Sequence, residues 1–138
     1  MWNQIIKILI AFSVLSTTLY SQENSNCSML SELLKNAEVR KAFHLDLHKE
    51  VPIIFVDTKK IFKNCAIEKA FGREVKIVYD SLYLNIIDDS NILIYGLEKK
   101  RGKYRLELYH KIMQAYGHVE FTKKNEKYIV SDVLIGNF

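Results

Sequence analysis

From Arg73 onward the chain reads as β structure almost without interruption, and this constrains the fold more than any other feature. Val75, Ile77 and Tyr79 alternate with charged or smaller residues, the period-two signature of a half-buried strand. Tyr83 to Ile87 continues the pattern past a bulge at Asp80-Ser81. The cluster Asp88-Asp89-Ser90-Asn91 reads as a turn, and Ile92 to Leu97 is a further apolar run. Lys99-Lys100-Arg101-Gly102 then turns the chain into Tyr104, Leu106 and Leu108, which alternate with Arg105, Glu107 and Tyr109. This is the clearest hairpin in the sequence. The period of two puts Tyr104, Leu106, Leu108 and His110 on the buried face and Arg105, Glu107 and Tyr109 on the other. Gly117 marks a bend or bulge before Val119 and Phe121. Lys124-Asn125-Glu126 is another turn, and Tyr128 to Ile135 the last strand.

The first half has a different period. Leu30, Leu33, Leu34 and Ala37 recur at spacings of three and four, which predicts a helix from Ser28 to about Phe43. Asn26 or Ser28 is placed to cap it. Asn36 is a weak helix former, so a kink or two short helices are expected there. Pro52 opens Ile53-Ile54-Phe55-Val56, a short apolar run that reads as a buried strand. Asp57 to Phe71 is ambiguous: a helix or helical turns capped by Asp57, with Ile61, Phe62, Cys65 and Lys69 on one face, or an irregular segment pinned by Cys65.

Helices first and strands after predict an α+β domain, with an N-terminal helix or helices packed on the inner face of a curved antiparallel sheet. In general shape this resembles cystatin-like and NTF2-like domains, an analogy of architecture that carries no function.

The start of the chain has the order of a secretory signal. Lys7 precedes the apolar run Ile8 to Leu15, and Ser16-Thr17-Thr18-Leu19-Tyr20-Ser21 is polar and small. Residues 1–21 therefore read as a signal peptide with cleavage after Ser21. The apolar core is shorter than the ~20 residues of a spanning helix, which argues against an uncleaved anchor. The remaining residues, 22–138, make one domain of ordinary size. They carry 19 Lys and Arg against 16 Asp and Glu, a mildly basic balance that is not a nucleic-acid-binding composition. Export, to periplasm or medium, is the expected destination.

Cys27 and Cys65 are the only cysteines. In an oxidising compartment an even pair is read as one disulfide. The alternatives are two buried thiols or, with the polar Asn24-Ser25-Asn26 against it, a lipid anchor at Cys27.

His44, Asp46 and His48 form the most suggestive cluster for chemistry, as weak candidate ligands of a divalent metal. The cluster lacks the Glu of H-E-x-x-H and a fourth ligand, and a polar loop explains it as well. Asp88 and Asp89 supply too few oxygens for calcium. Lys99, Lys100, Arg101, Lys103 and Arg105 make a basic hairpin tip, suited to an anionic surface or an acidic partner, or simply solvated. His110 is a candidate ligand contact if the curved sheet encloses a pocket, and otherwise a histidine at the core edge. The sheet tyrosines suit packing and binding alike. No serine sits in a nucleophile elbow, no glycine-rich phosphate loop is present, and no cofactor is implied. The favoured class is a small exported, non-catalytic domain that binds a protein or a small ligand in the concave sheet. The alternative is a metal-assisted or acid-base enzyme using His44, Asp46 and His48, or His110.

Overall fold

The structure, a computed structural model, describes residues 25–67, 69–85 and 91–137. The expected signal peptide and the 88–90 part of the expected turn lie outside them. Two helices come first, α1 (Cys27–Lys35) and α2 (Ala37–Ala42). Seven strands follow: β1 (Ile53–Val56), β2 (Lys69–Ala70), β3 (Arg73–Val78), β4 (Asn91–Lys100), β5 (Lys103–His110), β6 (Ala115–Lys124) and β7 (Lys127–Asn137). They form one curled sheet in the order β2-β3-β1-β4-β5-β6-β7, so the domain is mixed α and β.

The helical segment divides at Asn36, as its low propensity predicts. Asn36 is extended, and its side chain accepts from the Glu38 and Val39 N–H groups at 3.0 and 3.1 Å, capping α2. Asn26 stands at the head of α1 without a side-chain cap; its Nδ2 instead donates to the Ile61 carbonyl at 3.2 Å. Met29, Leu30, Leu33 and Leu34 are buried along α1, and both helices lie against β7.

The sheet is not antiparallel throughout. From β4 to β7 it is the expected meander, but β1 runs parallel to both neighbours, β3 and β4. The physical reason lies in β1 itself. Its four apolar residues do not alternate with polar ones and three of them are buried, the pattern of a strand covered on both faces. The segment 57–72 supplies the long crossover from β1 to its parallel neighbour β3, and the chain crosses again between β3 and β4, which flank β1.

The first crossover is set by Asp57. Its buried carboxylate accepts from the Ile61 and Phe62 N–H groups at 3.0 and 2.7 Å, and its own N–H donates to Val78 O at 2.8 Å. The result is turns rather than a helix. They sink Phe62 into the core and carry Cys65 to Cys27, with which it forms a disulfide. Lys69, expected on the same helical face, starts β2. In the second crossover the expected strand at 83–87 is replaced, over its described part, by a 3-10 turn, Ser81–Asn85. The Asp80 carboxylate takes the Leu82 N–H at 2.9 Å, and this local bond wins over strand pairing.

Along β5, Leu106, Leu108 and His110 are buried, Tyr104 is half-buried against the same core, and Arg105, Glu107 and Tyr109 lie on the opposite, half-exposed face, the register read from the sequence. Gly117 is not a bulge: it pairs regularly with Leu108 and Ile135. The β7 backbone crosses so close that a Cβ here would meet Leu134 O at 2.0 Å. Glycine permits this close approach at a sharp curl of the sheet. The ladder slips instead at Tyr95 in β4 and at Ser131 in β7.

Two-residue turns close three of the four described hairpins, Phe71-Gly72, Arg101-Gly102 and Asn125-Glu126, and the β5–β6 hairpin is closed by residues 111–114. All six residues of the two-residue turns have positive φ, the signature of turns that match the twist of the flanking strands.

Candidate functional site

In an up-and-down meander alternate turns fall at the same end. The β4–β5 and β6–β7 turns therefore share one end of the sheet. Lys99, Lys100, Arg101, Lys103 and Arg105 come from the first hairpin, and Lys123, Lys124 and Lys127 from the second. Against these eight cations stand Glu98, Glu120, Glu126 and, opposite Glu120, Asp132. This end carries more positive charge than residues 22–138 together, so the rest of the domain is net acidic.

Glu120 organises the site. Arg105 donates to its Oε1 at 3.0 Å and Lys103 Nζ lies 3.6 Å from Oε2. The hydrogen bond from Arg105 holds the Glu120 carboxyl below the usual carboxylate range, helped by the nearby charges of Lys103, Arg105 and His118 and opposed by desolvation. The pairing fixes two cations on the half-exposed face of β5 and β6. Arg105 Nε is enclosed and has no hydrogen-bond acceptor among the described residues. Lys99 lies over the Tyr104 ring at 5.3 Å and Lys123 over the Tyr128 ring at 5.5 Å. The two rings meet edge to face at 5.0 Å, and burial raises the Tyr128 phenol. Lys100 and Arg101 are exposed at the turn and have no carboxylate partner among the described residues. An open polar cavity of about 330 Å³ is lined by Lys100, Arg101, Lys103, Arg105 and Glu120.

The histidines arrange differently. His110 is buried, its ring stacked on Phe43 at 6.2 Å, and its Nδ1 accepts from the Met113 N–H at 3.3 Å. This is the geometry of a histidine at the core edge. His44, Asp46 and His48 lie exposed in the turns after α2, with φ of 51° at His44 and 54° at His48. His44, His48 and His110 line a cavity of only about 100 Å³, and Asp46 lies outside its lining. Among the described residues no three His, Cys, Asp or Glu side chains are grouped to hold a metal.

Arg73, which sequence reasoning passed over, is buried beside that cavity. Its guanidinium donates to the Val51, Leu45 and Pro52 carbonyls at 2.7, 3.2 and 3.3 Å, and desolvation lowers its pKa. It clamps the 45–52 loop. Its charge is met by carbonyl dipoles rather than by a carboxylate, an arrangement no local motif signals. Sequence reasoning also missed Glu120, Lys123, Lys124 and Lys127. The signal was present, since two turns separated by two strands of a meander must share an end. On the opposite, half-exposed face Tyr95, Tyr109 and Tyr116 form a mutual cluster, with centroids 6.1–6.4 Å apart.

The concave face is filled by side chains. Leu106, Leu108, Val119 and Phe121 are wholly buried in one core cluster with Met29, Leu30 and Leu33 of α1. No helix among the described residues is long and apolar enough to cross a membrane. No family model, no curated protein and no solved structure matches this chain.

Proposed function

We propose that this chain is an exported, non-catalytic binding domain, periplasmic or secreted, whose cationic sheet end engages a protein partner with a carboxylate-rich surface. The observation that carries the reading is the gathering of eight cations from two hairpins at one end of a domain whose remainder is acidic. Such separation of charge steers an acidic partner to one face and orients it. Lys100 and Arg101 are unpaired by carboxylates among the described residues, while Glu120 holds Lys103 and Arg105 in place. A protein is favoured over a lipid surface because the two tips, Lys100 to Lys103 and Lys124 to Lys127, carry no apolar anchor. Stable membrane attachment takes an apolar contribution besides a basic patch. A protein is favoured over a small ligand in the sheet because the inner face is packed with core side chains. The disulfide supports the exported setting. The cystatin-like and NTF2-like analogy enters only as shape, a curled sheet with helices beside it.

The test uses two variants of equal net charge. One replaces Lys99, Lys100, Arg101 and Lys103 by Gln; the other replaces Lys41, Lys49, Lys60 and Lys63. Binding to poly-glutamate and to phosphatidylserine vesicles is measured across ionic strength. Loss of poly-glutamate binding in the hairpin variant alone supports the reading. Equal loss in both variants, or vesicle binding without poly-glutamate binding, overturns it.

A further inference from the structure

The two edges of the sheet are unequal. At one edge β2 has two residues, too short to template another strand. At the other, β7 has eleven and, among the described residues, pairs only with β6. Among the described residues its backbone forms no bond to any other element. The inner face is also unfinished here. Inward residues of β5 and β6 such as Leu108 and Val119 are wholly buried, yet Val133 and Ile135 of β7 are only half-buried. Where α2 lies against β7, an open groove of about 570 Å³ remains between Glu38, Lys41, Ala42 and His44 and the β7 residues Val133, Ile135 and Asn137.

We infer that the C-terminal half of β7 accepts an extended peptide of a different protein as an eighth strand, with alternate apolar side chains in the groove and a cation opposite Asp132. Strand addition takes its affinity from the backbone ladder and its selectivity from pockets for alternate side chains. Charge identifies the occupant. Asp132 is exposed at the centre of Lys127–Asn137, so full antiparallel pairing of β7 with a second copy sets Asp132 against Asp132. Like charges directly opposite are destabilising. The offset that brings Lys127 opposite Asp132 pairs only residues 127–132 and leaves the groove at Val133 and Ile135 empty. No self-pairing register both fills the groove and satisfies the charge; a foreign strand with Lys or Arg opposite Asp132 does both. Asp132 also guards the edge, because its Oδ1 takes the Val133 N–H at 3.0 Å. A cation on the incoming strand draws the carboxylate outward and releases that amide to the ladder. Asp132 stands opposite Glu120 of the cationic end, but the groove at Val133 and Ile135 has none of the residues that line the basic cavity, so peptide binding and poly-glutamate binding are read independently.

The probe is a synthetic heptapeptide alternating Ile with Thr and carrying one Lys, titrated by calorimetry against the oxidised protein and the Asp132→Lys variant. A second peptide carries Glu in place of Lys, and a third keeps the Lys sequence with alternate amides N-methylated. The inference expects saturable binding of the Lys peptide and slower hydrogen exchange at β7 amides. N-methylation should weaken it about tenfold through lost ladder bonds. Asp132→Lys should reverse the Lys-over-Glu preference, by about two- to fivefold in each direction. Absence of saturable binding, equal binding of the N-methylated peptide, an unchanged preference in Asp132→Lys, or a dimer of the free protein in sedimentation each overturns it.

Discussion

Glu126 occupies a position that its side chain makes costly. With Asn125 it forms a two-residue turn in which both φ values are positive, 49° and 66°. A left-handed residue with a Cβ pays roughly 1–2 kcal/mol, and Asn-Gly is the preferred pair for this turn. Glycine gives back part of the gain through chain entropy. Glu126→Gly should therefore raise stability by about 0.5–1 kcal/mol in urea unfolding. An unchanged or lower midpoint would show that the turn is not of this type. Glu120 makes a pH-dependent contribution. Its pKa is lowered on folding, first by the Arg105 hydrogen bond. A carboxyl depressed in the folded state stabilises above its unfolded pKa, and that stability is lost as pH falls through the folded value. Unfolding midpoints should thus decline below about pH 4.5, the ordinary value for this group. They should decline less steeply in Glu120→Gln. Identical slopes for the two proteins would mean that the pairing does not persist in solution.

Among the elements, the cross-link decides how the two halves are held. Cys27 opens α1 and Cys65 ends the turns that follow β1, 38 residues away in sequence. The loop-entropy relation puts the effect of such a bridge at ~3–4 kcal/mol. The double variant Cys27→Ala, Cys65→Ala should lose about this much, read as a lower urea midpoint. A loss under about 1 kcal/mol would place the constraint elsewhere, in residual order of the unfolded chain. The elements differ in how far sequence exposes them. The meander from β4 to β7 was legible because a half-buried strand writes its register in alternating residues, and β5 follows that alternation to His110. The break at Asn36 was legible because a cap competes with the helix interior through one side chain. The parallel placement of β1 was not, since a short apolar run specifies burial but not the direction of its neighbours. The 3-10 turn at Ser81–Asn85 was hidden because Tyr and Leu suit strands, while Asp80 fixed the turn by accepting from the Leu82 and Tyr83 N–H groups. At the candidate site the first hairpin was plain in sequence, and its partner hairpin was missed although the legible meander already required the two turns to share an end.

Over the whole molecule, charge and packing point the same way. Packing uses the inner face of the sheet, where Leu106, Leu108, Val119 and Phe121 join α1 in one core cluster. Charge is separated, with eight cations at the two-hairpin end and an excess of carboxylates over the rest of residues 22–138. Association through such a surface is fast at low salt and weakens as salt screens it, with a Debye length of about 8 Å at physiological ionic strength. The most direct measurement is a residue-resolved NMR titration of the oxidised protein with poly-glutamate at low and physiological salt. The account predicts salt-sensitive shifts confined to Lys99–Arg105 and to residues 120–127, with Arg73, His110 and the 44–48 loop unmoved. Shifts centred on the histidine loop, or spread evenly over every exposed lysine, would contradict it.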